Sequence, residues 1–545
     1  MNESPKNRLG GSGAFRYNIV MSTTILSENS ISYQEELQLP WGFEDSALPA
    51  DDISSTIFNF VRDSQILQLL GINPKPSRRY DPASILTIIL LCFALNGSCS
   101  SRKMVDFCRH DSRGRLLMKG QVPSHVTFVN FMNDFIREDI EEIFALLNLY
   151  IDENVCLDLS ALFIDGTKFE ADASKFSFVW RKTAQKNLSK ACSKAYQLLV
   201  ELNKFLAPMG SSVPFSSCMI PDESMLEEAR KILSDLMKEK NIPFRYGKGQ
   251  RKSPYQRYHE QLSELILKIH KWKDSLDRMG TRNSLSKSDY DATFMHMKYD
   301  YYCHTGVFKP GYNCQIGVMD QFIRVLYVSA DPNDQKPFIP TVEAFKALNG
   351  FTPEKVCADA GYASFTNYAY LDQEGIENFV KPQNYEKLRS RSRKDAYKAY
   401  RFTEDDEGVL RCPMGHAMKR MYESKPDKEG KTKSFFTGTE CASCPAKEKC
   451  TPKKENRVVQ KVTGLDSFNR TVIRNIESEE GQELLRQRSI QAEGTFGQIK
   501  QDFGYVRLTR TGYESVKMEL FLVAIGHNLR KLHQKMKSQR AEIAA

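Results

Sequence analysis

The sequence predicts an α/β fold: a mixed central sheet with helices on both faces, interrupted by two insertions and preceded by an all-helical region. Three observations carry this. Short apolar runs end at Asp, Gly or Pro, as buried strands do: ALFID at 161–165, NCQIGVM at 313–319, FIRVLYVSA at 322–330, KVCAD at 355–359 and IENFVK at 376–381. Helix-period segments alternate with the later runs, at 337–348, from 361 to about 374, at 478–500 and at 514–536. Two stretches break the alternation. Residues 171–290 are long, helical and basic, and residues 385–470 are polar, Cys-bearing and expected to be irregular.

The helical region comes first. Residues 1–55 carry 3 basic and 8 acidic groups, contain GGSG and show little apolar periodicity, so a poorly ordered acidic segment is expected. Residues 56–152 read as helices joined by polar turns. Asp81 and Pro82 open an apolar helix that stops at Asn96-Gly97, and a longer helix is expected from Ser124 to Leu149. Such an array permits a helix-turn-helix-like DNA-binding module. The run ILTIILLCFAL at 85–95 is about half of what spans a bilayer, and it reads as a buried helix. No membrane association is expected. No signal-peptide pattern opens the chain and its 13 Cys are mostly scattered, so the expected setting is a reducing cytoplasm, at the nucleoid when bound to DNA.

Charge points towards a polyanionic partner. The chain of 545 residues has a net charge of +9, and residues 171–290 alone hold 22 basic against 13 acidic groups. Within them, RYGKGQRKSPYQRY at 245–258 contains Arg245, Lys248, Arg251 and Lys252 among three tyrosines and no acid. Cations neutralise phosphates and aromatics stack on exposed bases, although a solvated loop between helices has the same composition.

Two carboxylates stand where chemistry can use them. Asp165 and Asp359 each end an apolar strand and precede a glycine-bearing turn, where burying an acid is costly unless it is paired or metal-bound. Each by itself also suits a turn or helix cap. Glu493 lies in a helical pattern beside apolar Ile490, Phe496 and Ile499, and Arg486 and Lys500, seven residues either side, share its face of a regular helix. Carboxylates converging from two strands and a helix bind hard divalent cations, and a pair of these serves phosphoryl transfer without a protein nucleophile. The strand order also places Lys168 and Lys309 near these acids.

The strings LFIDGTKFEADAS, GVFKPGYNCQIGV, KVCADAGYASFTNYAYLDQEGIENFVKPQ, AEGTFGQIK and GHNLRKL resemble bacterial insertion-sequence transposases with an RNase H-like DDE domain. The segment RRYDPASILTIILLCFALNGSCSSRKMVDFCRHD resembles the N-terminal domain of the same group. The resemblance spans residues 60–540. It implies that Asp165, Asp359 and Glu493 form the metal-binding triad for Mg²⁺ or Mn²⁺, and that Lys500 contacts DNA. It implies double-stranded DNA partners, namely the element's terminal inverted repeats and a target, with the protein acting as a homodimer. Relatives often carry a Tyr and an Arg upstream of the final Glu; here Ser489 stands where that Arg usually is, with Arg486 and Arg488 beside it. The expected organisation is a DNA-binding domain at 56–152, a catalytic domain at 156–510 holding both insertions, and a C-terminal helix at 511–545. Two rival readings share the core: a stand-alone nuclease, against which the helical region counts, and a DNA-binding protein with a decayed metal site, against which the intact triad counts.

The second insertion contains Cys412, Cys441, Cys444 and Cys450. The C-x₂-C spacing of Cys441 and Cys444 lets two thiolates share a tetrahedral metal, and the other two, or His416, complete a structural Zn²⁺ site. Four free thiols in a loop is the alternative.

Overall fold

The computed structural model describes residue 48 and residues 51–72, 79–215, 220–247, 249–297, 306–389, 395–405, 407–428, 430–451 and 455–544. The expected acidic segment at 1–55 lies almost wholly outside them, as does Lys248.

The N-terminal region is helical: α1 (Ile53–Asp63), α2 (Pro82–Asn96), α3 (Ser101–His110), α4 (Ser112–Leu117), α5 (His125–Phe131) and α6 (Ile140–Asn154). In α2 the Asp81 side chain accepts from Ser84 N at 3.0 Å, Pro82 occupies the first turn, and Gly97 ends the helix at φ +67°. The single helix expected from 124 to 149 is instead two. After α5 the chain passes through a π turn, Met132–Ile136, and breaks before α6. The apolar run 85–94 is buried throughout, because α2 packs between its helical neighbours and the C-terminal helix α14 (Tyr513–Ala544). One apolar core therefore runs from Ile57 and Phe60 through Leu522 and Ile525 to the sheet residues Ile316 and Val318. Among the described residues no single helix is long and apolar enough to cross a membrane.

The central sheet holds β1 (Ala161–Glu170), β4 (Thr293–Met297), β5 (Val307–Met319), β6 (Phe322–Ser329), β7 (Lys355–Ala358) and β8 (Glu377–Val380). β5 is antiparallel to β1, β4 and β6, whereas β1, β7 and β8 are parallel neighbours. Parallel strands need crossovers, and α10 (Phe338–Asn349) and α11 (Phe365–Gln373) supply them. Alternate residues face opposite layers. Leu162, Ile164, Val356 and Ala358 pack on α10 and α11, while Ala161, Phe163 and Cys357 pack on Ala492.

The first insertion stands on a short pair of strands, β2 (Phe178–Trp180) and β3 (Ser284–Ser286). From it rise three helices, α7 (Arg181–Leu206), α8 (Glu223–Glu239) and α9 (Pro254–Met279), with their own core of Leu199, Leu202, Leu233, Leu262 and Ile269. The second insertion is not irregular as expected. β9 (Thr403–Glu404) pairs with β10 (Leu410–Arg411), and β11 (Met418–Glu423), β12 (Lys433–Gly438) and β13 (Val458–Val462) form an antiparallel sheet. Among the described residues its core is Phe402, Leu410, Met418 and Val459 with a few half-buried neighbours, too few apolar residues to print a strand period on the sequence.

Candidate active site

Register decides where the two acids lie, and only Asp359 ends its strand as expected; β1 runs on past Asp165 to Glu170 because β5 pairs with it that far. β1 and β7 run parallel with Ile164 opposite Ala358, so Asp165 and Asp359 are the next residue on each of two adjacent strands. Asp165 is half-buried and still within β1, opposite Ile316 of β5. Asp359 is exposed and heads the short 3₁₀ turn Ala360–Tyr362. Leu162-Phe163-Ile164 and Val356-Cys357-Ala358 are continuous apolar runs because this parallel pair is buried on both faces.

Glu493 comes from the third direction. α12 (Leu465–Glu477) leads into α13 (Glu479–Arg488), and the helix then widens into a π turn, Ser489–Glu493, narrows at Gly494–Gly497, and widens again at Gln498–Asp502. Ala492 is buried against Phe163 and Cys357, so the residue next to Glu493 is anchored on the sheet face to which Asp165 belongs by strand alternation. Each π turn holds an extra residue and rotates the helix beyond it, so the face shared by Arg486, Glu493 and Lys500 in a regular helix is broken. Arg486 pairs with Glu483 at 2.6 Å on the exposed side. Arg488, largely buried, instead reaches Glu493, Nη2 to Oε1 at 2.6 Å. Lys500 turns inward. Its ammonium donates to Thr167 Oγ1 at 2.6 Å and Lys168 O at 2.9 Å, and sits 4.6 Å from the Phe169 ring centroid.

The electrostatics agree with a cluster of negative charge at the strand ends. Burial first, then the charges of Asp165, Asp334 and Asp359, hold the Tyr362 phenol well above its ordinary range. Burial pushes the Cys357 thiol up to about 12, with Asp359 adding to the effect and Arg488 opposing it. Asp334 is a member of this cluster that the sequence does not reveal. It lies in the loop after β6, where an acid in a polar run carries no signal.

The predicted cations divide into three groups. Lys168 lies along β1 beyond Asp165 and donates to His296 O at 3.2 Å. Lys309 is buried and paired with Glu170 at 2.6 Å, so its charge is already matched within the fold. Arg245, Arg251 and Lys252 occupy the far end of the first insertion. They precede α9, which returns 26 residues, roughly 39 Å, to the β2–β3 root. Arg245 and Arg251 are exposed there, while Lys252 pairs with Glu260 at 2.7 Å.

The four cysteines of the second insertion line one small cavity, together with His416, Phe402, Met418 and Arg457. Cys412 enters from the loop after β10, Cys441 and Cys444 from the turn after β12, and Cys450 from the short helix Lys447–Cys450. Gly415, at φ +90°, donates its N–H to Cys412 O at 2.8 Å and closes a tight turn. Arg457 N donates to Cys441 Sγ at 3.5 Å. Burial raises the Cys450 thiol, Arg457 lowers it, and the thiols of Cys441, Cys412 and Cys444 raise it further. Among the described residues no three His, Cys, Asp or Glu groups stand as a ready-made metal cluster, at either place.

Residues 411–533 match the family model described as transposase DDE domain. This part of the chain is similar to a transposase DDE domain. The matched stretch holds the four cysteines of the cavity, Glu493, Lys500 and most of α14; Asp165 and Asp359 lie before it. A transposase DDE domain acts on DNA, and domains of this kind generally use divalent metals. No curated protein and no solved structure matches the chain.

Proposed function

We propose that the protein is a transposase that cleaves DNA at the ends of an insertion sequence and joins them to a target, with Asp165, Asp359 and Glu493 holding Mg²⁺ or Mn²⁺. The observation that supports this is the register of Ile164 on Ala358, which puts Asp165 and Asp359 at matching positions on neighbouring strands, with Ala492, next to Glu493, packed on the same sheet. The order β6-β5-β1-β7-β8, with β5 antiparallel, supports an RNase H-like layer.

The donor set is three carboxylates with no thiolate or imidazole, which fits a hard divalent cation. Such ions would activate the attacking oxygen and stabilise the leaving one. The chain's own residues position DNA. Lys500, fixed on Thr167 and the Lys168 carbonyl, places a cation next to the strand carrying Asp165. Water attacks the phosphodiester at each terminal repeat, freeing a 3′-hydroxyl, which then displaces a 3′-oxygen in the target. A homodimer would hold the paired ends.

The test is cleavage and strand transfer on the element's own terminal repeats with Mg²⁺. Asp165→Ala, Asp359→Ala and Glu493→Ala should each abolish both steps and retain end binding. Parental cleavage by Asp359→Ala overturns the reading.

The cysteine cavity supports a second, structural metal. A Zn²⁺ gathered by Cys412, Cys441, Cys444 and Cys450 would order an insertion whose apolar core is small, and a closed thiolate site leaves no open position for chemistry. Elemental analysis should find about one zinc per chain, lost with local unfolding in Cys441→Ser. Protein prepared without chelator and free of zinc rejects it.

A further inference from the structure

On the opposite sheet face from Asp165 lies a closed run of buried polar groups. Tyr362, three residues after Asp359 and 2% exposed, donates its hydroxyl to Gln315 Oε1. Gln315 Nε2 donates to Asn313 Oδ1 at 3.0 Å and to Asp334 Oδ1 at 3.2 Å. Asn313 Nδ2 donates to the same Asp334 oxygen at 2.8 Å and to Asp331 O at 3.1 Å. Asn313 and Gln315 are fully buried on β5.

This run crosses β1 next to the first aspartate. Gln315 is the register partner of Gly166. A Cβ at Gly166 would lie 2.5 Å and 2.6 Å from the Gln315 amide and 2.8 Å from the Tyr362 hydroxyl. Gly166 is therefore required by close approach, not by backbone angle. Polar groups buried this deeply are costly unless every one is paired, and an apolar set of similar volume would hold the layers together as well. Paired as they are, they join three segments at fixed separation: the turn after Asp359, the strand beside Asp165 and the loop carrying Asp334.

We propose that Tyr362 is a positioning residue: through Gln315 and across Gly166 it sets the spacing of the Asp165 and Asp359 carboxylates for a divalent cation. This rests on the triad reading above. Tyr362→Phe keeps the ring and removes only the hydroxyl. Gly166→Ala drives a methyl into the same junction, and Asp334→Ala, at a half-buried position, removes the far anchor.

The experiment measures Mn²⁺ binding to the full chain without DNA, by the free-Mn²⁺ electron paramagnetic resonance signal, beside the thermal midpoint of the metal-free protein. Tyr362→Phe and Gly166→Ala should weaken Mn²⁺ binding by about tenfold, the low end for residues that orient ligands. Asp334→Ala should weaken it less. The metal-free midpoint of Tyr362→Phe should fall modestly, since Gln315 Oε1 loses its donor, while the variant stays folded at the temperature of the binding measurement. Parental Mn²⁺ affinity in Tyr362→Phe overturns the proposal; if that variant does not fold, parental affinity in Asp334→Ala overturns it. Asp359→Ala separates the two ideas. Lost binding there with parental binding in Tyr362→Phe removes only the positioning role, whereas parental binding in Asp359→Ala removes the triad and the proposal with it.

Discussion

Arg488 Nη2 lies 2.6 Å from Glu493 Oε1, an ion pair in which the arginine is largely buried and the glutamate half-exposed. A cation approaching Glu493 must compete with this guanidinium. Arg488→Ala should therefore bind Mn²⁺ a few-fold more tightly, the modest size reflecting solvent screening at a half-exposed carboxylate. The same variant should cleave more slowly if Arg488 then serves the DNA phosphate. Calorimetric Mn²⁺ titration checks the first part, and an affinity equal to or below the parent's contradicts it.

His527 is buried in α14, and its Nε2 stands 3.2 Å from Gln321 O. Burial, with smaller contributions from Arg530 and Lys531, depresses its pKa to about 3, so the ring is neutral in the fold. The unfolded chain takes up that proton near pH 6.5, so the unfolded state binds more protons below this pH and stability falls with acidification. Between pH 7 and pH 5 this group should remove about 2 kcal/mol from the unfolding free energy. Denaturant melts of the parent and His527→Gln at both pH values test it. The parent's loss should exceed the variant's by about that amount, and equal losses contradict the assignment.

The basic loop before α9 should act on DNA by charge alone. Changing Arg245, Lys248, Arg251 and Lys252 to Gln should weaken binding to all sequences, and each lost phosphate contact should reduce the slope of log affinity against log salt by about 0.9. Roughly 39 Å of helix separates the loop from the β2–β3 root, so cleavage of a short end substrate at saturating concentration should be unchanged. An unaltered salt slope leaves the loop a solvated turn.

Much of the framework was legible because local chemistry encodes it. Asp81-Pro82 and Gly97 bracket α2, Asp320-Gln321 turns β5 into β6, and apolar runs too short for helices mark β1 and β7. The second insertion was not legible, since β11 exposes five of its six residues and has almost no buried face to set a period. Nor were the helix-borne cations. Spacing by sevens assumes a regular helix, and the π turns at Ser489–Glu493 and Gln498–Asp502 turn Lys500 onto β1 and give Glu493 to Arg488 rather than Arg486.

By itself the sequence marked the buried runs before Asp165 and Asp359, but only Asp359 ends its strand; Asp165 lies inside β1, because pairing with β5 carries the strand on to Glu170. Their adjacency was decided by the tertiary structure, since parallel register depends on crossover helices and on which apolar faces meet α10 and α11. The same holds for Lys309, matched to Glu170 from 139 residues away, and for Gln315, Tyr362 and Asp334, ordinary polar residues in their local contexts. Pairings of that kind belong to no segment. They exist because folding removes water from both partners at once, leaving each the other's nearest source of a hydrogen bond or a counter-charge.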